Sequence, residues 1–126
     1  MKAYMIVAAI IAVSLVALLH FYFLVLEMFF WDKPLGMRAF GLKPGFAKES
    51  KSLAANQGLY NGFLVAGLLW GLYLGVAGAG KPIAIFFLSC VIVAGIFGAM
   101  TVNKKILFVQ AIPGAVALTL TLLASS

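Results

Sequence analysis

From position 4 to position 31 the chain runs through apolar side chains with a single acidic residue, Glu27, and a single histidine, His20. A helix on a water-soluble protein keeps a polar face toward solvent, and this stretch has no such face. A run of this kind is long enough to cross the hydrocarbon core of a bilayer, which takes about 20 apolar residues. It is also much longer than the about 7–15 apolar residues of a secretory signal. It is therefore expected to be a membrane helix of the mature chain. Three further stretches have the same character: residues 57–77, 82–102 and 106–123.

Composition agrees. The chain has 126 residues, 65% hydrophobic, with nine Lys or Arg and three Asp or Glu. A soluble domain carries about a quarter charged residues. Disorder is excluded by the high hydrophobicity. A lone cysteine, Cys90, excludes an internal disulfide framework and a cysteine metal cluster. Lipid offers no partner to a free backbone amide, so the spans are expected to be helices. The expected fold is all-α: an integral membrane four-helix bundle, one domain over 1–126, with an amphipathic cytoplasmic loop after the first helix. Pro82 suits the first turn of a helix. The links at 78–81 and 103–105 are short enough to make neighbouring spans antiparallel.

The cations fix an expected orientation. Lys33, Arg38, Lys43, Lys48 and Lys51 fall in the first loop and Lys104 and Lys105 in the third, whereas Lys2 and Lys81 fall on the other side. The positive-inside rule puts the first and third loops in the cytoplasm and both termini outside. The net charge of +6 is then a topology signal with attraction to anionic lipid, and no nucleic-acid partner is expected. In the first loop, Phe40, Leu42 and Phe46 sit among the cations, as suits a segment at headgroup level. Pro34, Gly36, Gly41, Pro44 and Gly45 are expected to break it into turns. Residues 46–56 are expected to form an amphipathic extension running into the second span. Gly58 and Gly62, then Gly67, Gly71 and Gly75, then Gly95 and Ala99 recur at a four-residue interval that lets helices approach closely. These faces could serve packing within the bundle or a homodimer.

Polar residues within spans are costly and so mark candidate sites. His20 and Glu27 are seven apart, nearly on one helical face, about 10 Å apart along the axis. Trp31 falls on that face too. Gln57 and Asn61 are four apart, as are Asn56 and Tyr60. Gln110 opens the fourth span after Lys104 and Lys105. The expected topology puts all of these in the cytoplasmic half. A pocket of His20, Glu27, Trp31, Asn56, Gln57, Tyr60, Asn61 and Gln110 is the candidate ligand site. A histidine and a desolvated carboxyl can both exchange protons near neutral pH. Each residue also has a plainer role. Glu27 could pair with a loop lysine, His20 could bond a neighbouring helix, and the amides could join helices. No phosphate-binding loop, zinc-protease helix, nucleophile elbow or haem-attachment motif occurs. Cys90 with Met28 or Met100 reads as apolar packing, so no metal or cofactor is expected.

Three stretches carry a family resemblance: HFYFLVLEMFFW at 20–31, AANQGLYNGF at 54–63 and KKILFVQ at 104–110. With these the chain resembles the bacterial family of small membrane proteins filed as domain of unknown function number 1304. The resemblance covers nearly the whole chain. It implies a four-helix membrane protein and singles out the same polar residues, but no activity comes with it. Three readings follow. The chain could bind or transport a small or lipid-like molecule. It could be a small isomerase-like membrane enzyme using Glu27 and His20 as acid and base. Or it could be an accessory subunit whose polar residues only lock helices.

Overall fold

The computed structural model describes residues 2–125, and all regular structure among them is helical. Helix α1 is Lys2–Phe29, α2 is Pro34–Phe40, α3 is Pro44–Leu74, α4 is Lys81–Thr101 and α5 is Ile112–Leu123. Wider π-helical turns occupy Gly75–Ala79, after α3, and Leu107–Ala111, before α5. Among the described residues, three helices are long and apolar enough to cross a membrane: Lys2–Phe29, Pro44–Ala79 with its π turn, and Lys81–Thr101. The stretch Leu107–Leu123 is equally apolar but shorter, so the fourth expected span does not reach that length. The chain after Thr101 spends residues on a link, and Ala124 is already extended at ψ 136°.

The helix boundaries have local causes. Helix α1 stops at Phe29, before the expected residue 31, because Pro34 excludes a helical residue in front of it. Lys33 accordingly lies in the extended region at φ −104°, ψ 161°. The first loop contains a short helix rather than consecutive turns. Pro34 sits in the first turn of α2, and Gly41, left-handed at φ 65°, ends it. The amides of Gly41 and Leu42 both bond the Met37 carbonyl, a glycine-dependent helix stop. Pro44 then opens α3, which runs unbroken through the expected amphipathic extension into the second apolar stretch.

The chain divides into two compact units: Leu18–Val65, and the segments before and after it. In Leu18–Val65, the second part of α1 packs antiparallel to the first part of α3. A Cβ on Gly58 would lie 2.6 Å from Met28 Cγ and 3.2 Å from the Leu24 carbonyl oxygen. One on Gly62 would lie 3.0 Å from Leu24 Cδ1. In the other unit, the end of α3 and α4 form a hairpin. Gly67 lies against the Phe87 ring, and a Cβ on Gly71 would be 3.2 Å from the Ala84 amide nitrogen. The turn needs Gly75 at φ 96°, a conformation other residues rarely adopt. Helices α4 and α5 are antiparallel as well. A Cβ on Gly95 would lie 2.6 Å from the Ala111 nitrogen, and one on Gly114 2.9 Å from Val91 Cγ1. Lys81 closes this arrangement. Its Nζ donates to the carbonyls of Ala124 at 2.5 Å and Leu122 at 3.2 Å. These are acceptors at the end of α5 that no further turn can satisfy.

Of the small residues expected to pack, Gly58, Gly62, Gly67, Gly71 and Gly95 are used inside the chain, whereas Gly75 serves the turn. The core is mostly small as well, with Ala9, Ala17, Ala47, Ala54, Ala84, Ala111 and Ala117 buried. Bulky apolar side chains such as Tyr73, Phe97, Phe86 and Phe63 are exposed. Backbones held together by small residues with large residues outside is the pattern of helices that meet without a hydrophobic driving force.

Candidate functional site

Leu18–Val65 holds most of the candidate residues. The turn of α1 that carries Glu27 is held against α3 because Gly58 has no side chain: a Cβ there would sit 3.1 Å from Glu27 Cβ. One helical turn after Gly58, Asn61 faces α1, and its Nδ2 donates to Glu27 Oε1 at 2.5 Å. Both residues are buried, with Glu27 at 9% and Asn61 at 8% exposure. The carboxyl, whose plainer alternative was a loop lysine, meets a side-chain amide from the neighbouring helix. His20 lies two turns earlier on α1 and is fully buried. Its imidazole packs edge-on against Phe23, with ring centroids 5.5 Å apart.

The other candidate residues are placed differently. Trp31 lies beyond the end of α1, so it leaves the helical face of His20 and Glu27. Its indole Nε1 donates to Ser50 Oγ at 2.9 Å, and its ring lies 4.9 Å from that of Phe40. Ser50 Oγ in turn donates to the Phe46 carbonyl at 2.6 Å. Next to it, Lys51 Nζ pairs with Asp32 Oδ2 at 3.1 Å. The hydrogen bond and charge of Lys51 hold the Asp32 carboxyl below the usual aspartate range. Trp31 and Asp32 thus fasten the first loop to α3. Asn56, Gln57 and Tyr60 occupy the exposed side of α3, with Tyr60 5.8 Å from the Phe63 ring. Gln110 is half-buried in the π turn Leu107–Ala111, in the other unit. An open apolar groove of about 330 Å³ runs along α5. It is lined by Ile112, Ala115, Val116, Thr119 and Leu120, and by none of the candidate residues.

Sequence reading did not assign Ser50, Lys51 and Asp32 to each other. A polar pair directly after an apolar helix, facing a Ser-Lys pattern on the next, was the available signal. Sequence reading also counted Lys81 only as a charge, whereas it caps α5. Its position just before a proline in a tight link was a hint that it could reach a helix end.

The fold and the buried pair define a class: an all-helical protein with three helices of membrane-crossing length and a carboxyl–amide pair buried between two helices. The family described as protein of unknown function (DUF1304) matches residues 14–122, and the chain belongs to it. The chain is also 33% identical over 108 residues to the protein called "Uncharacterized protein YpaA" of Lactococcus lactis subsp. lactis (strain IL1403). That alignment covers 84% of this chain and 89% of the relative. No solved structure matches it.

Proposed function

We propose that this is a multi-pass protein of the bacterial inner membrane that binds a small or lipid-like molecule at His20, Glu27 and Asn61. In this reading the four apolar segments form one four-span bundle over 1–126, with the first and third loops cytoplasmic and both termini outside. The observation that carries the reading is the buried Glu27–Asn61 bond, two turns from a fully buried His20, where the other buried residues of Leu18–Val65 are apolar or glycine. Burying such groups is costly, and in membrane helices they commonly mark function.

Lengths support the depth assigned to the site. Pro44–Ala79 is 36 residues, or about 54 Å at about 1.5 Å per residue. The hydrocarbon core is only about 30 Å thick. With Ala79 at one edge, Asn61 falls about 27 Å away, near the other. The lysine-bearing start of α3 then projects into the cytoplasm, and exposed Asn56, Gln57 and Tyr60 form the rim of the site. The short stretch Leu107–Leu123 crosses with local thinning of the bilayer.

The test is a thermal-shift series on the purified full chain. The probes are an alcohol, an amine and a carboxylic acid of one medium chain length. At least one probe is expected to raise the melting temperature of the wild type and to lose that effect in Glu27→Gln and His20→Ala. Equal shifts in all three proteins would refute the site. Chemical conversion of the bound probe would move the reading to the enzyme alternative, with Glu27 and His20 as acid and base. A structural reading is favoured by one observation: Asn61 Nδ2 bonds Glu27 Oε1 directly and so joins the two helices. It is supported if no probe shifts any variant while Glu27→Gln lowers stability. Topology has its own assay. Ser125→Cys in a Cys90→Ala background is expected to react with an impermeant thiol reagent in intact cells. Reaction only after lysis would overturn the orientation.

A further inference from the structure

The first loop carries more than an orientation signal. Lys33, Arg38, Lys43 and Lys48 are all exposed, while Lys51 is engaged by Asp32. Glu49 is the other acid in this segment, so five cations face two acids. The same segment exposes apolar side chains. Leu35 and Arg38, three apart on α2, lie on one face with Ala39, and all three are exposed. Phe46, in the first turn of α3, is exposed at 58%. The opposite side of α2 is fixed: Gly36 is buried against the Phe30 carbonyl, leaving no room for a Cβ. The Trp31–Ser50 bond, the Trp31–Phe40 contact and the Asp32–Lys51 pair tie both ends of the elbow to the helices beside it. The exposed cations and apolar side chains are therefore presented on an ordered support.

We propose that this elbow, from Lys33 through Lys48, is a docking surface for the headgroups of anionic phospholipids. Leu35 and Phe46 enter the boundary between headgroups and acyl chains. Lys33, Arg38, Lys43 and Lys48 meet the phosphates, with the Arg38 stem lying along the apolar surface. Charge selects the occupant. A surplus of cations beside apolar side chains fits a negatively charged lipid better than a zwitterionic one. The order of the elbow lowers the entropic cost of binding. The surface is separate from the buried Glu27–Asn61 pair and does not depend on a ligand there.

Trp31, which contacts Phe40 at the edge of the elbow, is a reporter for it. In the full chain with Trp70→Phe it is the only tryptophan. The protein is reconstituted in phosphatidylcholine vesicles in which bromine-labelled phosphatidylglycerol or bromine-labelled phosphatidylcholine replaces part of the lipid. Bromine quenches indole fluorescence at short range. At low salt, phosphatidylglycerol is expected to quench Trp31 at several-fold lower mole fraction than phosphatidylcholine. Lys33→Gln with Arg38→Gln is expected to reduce that preference, by up to about fivefold for each charge removed. In wild type, about 1 M salt, where screening acts within about 3 Å, is expected to reduce it too. Lys104→Gln with Lys105→Gln removes the same number of cations elsewhere and is expected to leave it unchanged. No preference in the wild type, or an equal fall in both double variants, would overturn the proposal. In the first case the cations report orientation alone. In the second the whole chain's charge, and not the elbow, attracts the lipid.

Discussion

Replacing Asn61 by Leu tests the bond that organises Leu18–Val65. The side chain is 8% exposed and donates to Glu27 Oε1 at 2.5 Å, and Glu27 is itself 9% exposed. Leucine has the same branching and number of side-chain heavy atoms with bulkier ends, so the change removes the donor without opening a cavity. The carboxyl oxygen loses its partner in a place where water does not readily replace it. Stranding a buried acceptor costs about 1–3 kcal/mol. Bonds between membrane helices average nearer 0.6 kcal/mol, because the separated helices also find partners. A value between these two figures, about 1.5 kcal/mol, is expected. Part of any loss on substitution is altered packing, so a single mutant does not isolate the bond. A double-mutant cycle does. Asn61→Leu, Glu27→Leu and the double variant are unfolded reversibly from mixed micelles by a denaturing detergent, with helix content as the signal. Glu27→Leu alone also strands the Asn61 amide, whereas the double variant strands nothing. The double variant is expected to be more stable than the sum of the single losses implies, by about 1 kcal/mol. Additive losses would refute the bond as a stabilising contact between α1 and α3.

Other expectations follow from single features. Gly95→Ala places a Cβ 2.6 Å from the Ala111 backbone nitrogen, which cannot rotate away, and is expected to cost about 1–3 kcal/mol. Gly45→Ala, with open space around it, is expected to be neutral or slightly stabilising in the same unfolding assay. Lys81→Met removes the donor to Leu122 and Ala124. Faster amide exchange in the last turn of α5, with α1 unaffected, is expected by mass spectrometry. The Asp32 carboxyl is held below its ordinary value by Lys51. Its contribution is therefore present above the unfolded aspartate value of about 3.9 and is lost as pH falls through the lower folded value. The difference in melting temperature between wild type and Asp32→Asn is expected near neutral pH and to vanish in stronger acid. A difference that grew with acidification would contradict the ion pair.

The polar residues show what a sequence of this kind can specify. His20, Glu27 and Asn61 were legible because few polar groups interrupt these apolar stretches, and all three are buried. Which of them meet was not legible. A helical wheel relates residues on one helix but does not say which face a second helix presents. Gln57 and Asn61 share the spacing of a common face, yet Asn61 turns inward and Gln57 stays exposed. Gly58 decides this, since it is where α3 can approach the Glu27 turn. Trp31 failed for another reason. The wheel carried it onto the face of His20 by continuing α1 past Phe29, where Pro34 had already ended the helix.

The glycines of α3 extend this point to assembly. Their four-residue spacing was legible, but their partners were not. Gly58 and Gly62 face α1, whereas Gly67 and Gly71 face α4. The step from Gly62 to Gly67 is five residues, which turns the helix by about 140°. One helix thus presents two small-residue faces in two directions, and each is filled within its own unit. A second copy of the chain seeking those faces would have to displace an intrachain contact. What α3 still exposes is bulky: Tyr60, Phe63, Trp70 and Tyr73. The outward side of α3 is therefore aromatic, and replacing its glycines is expected to disturb the chain's own hairpins first.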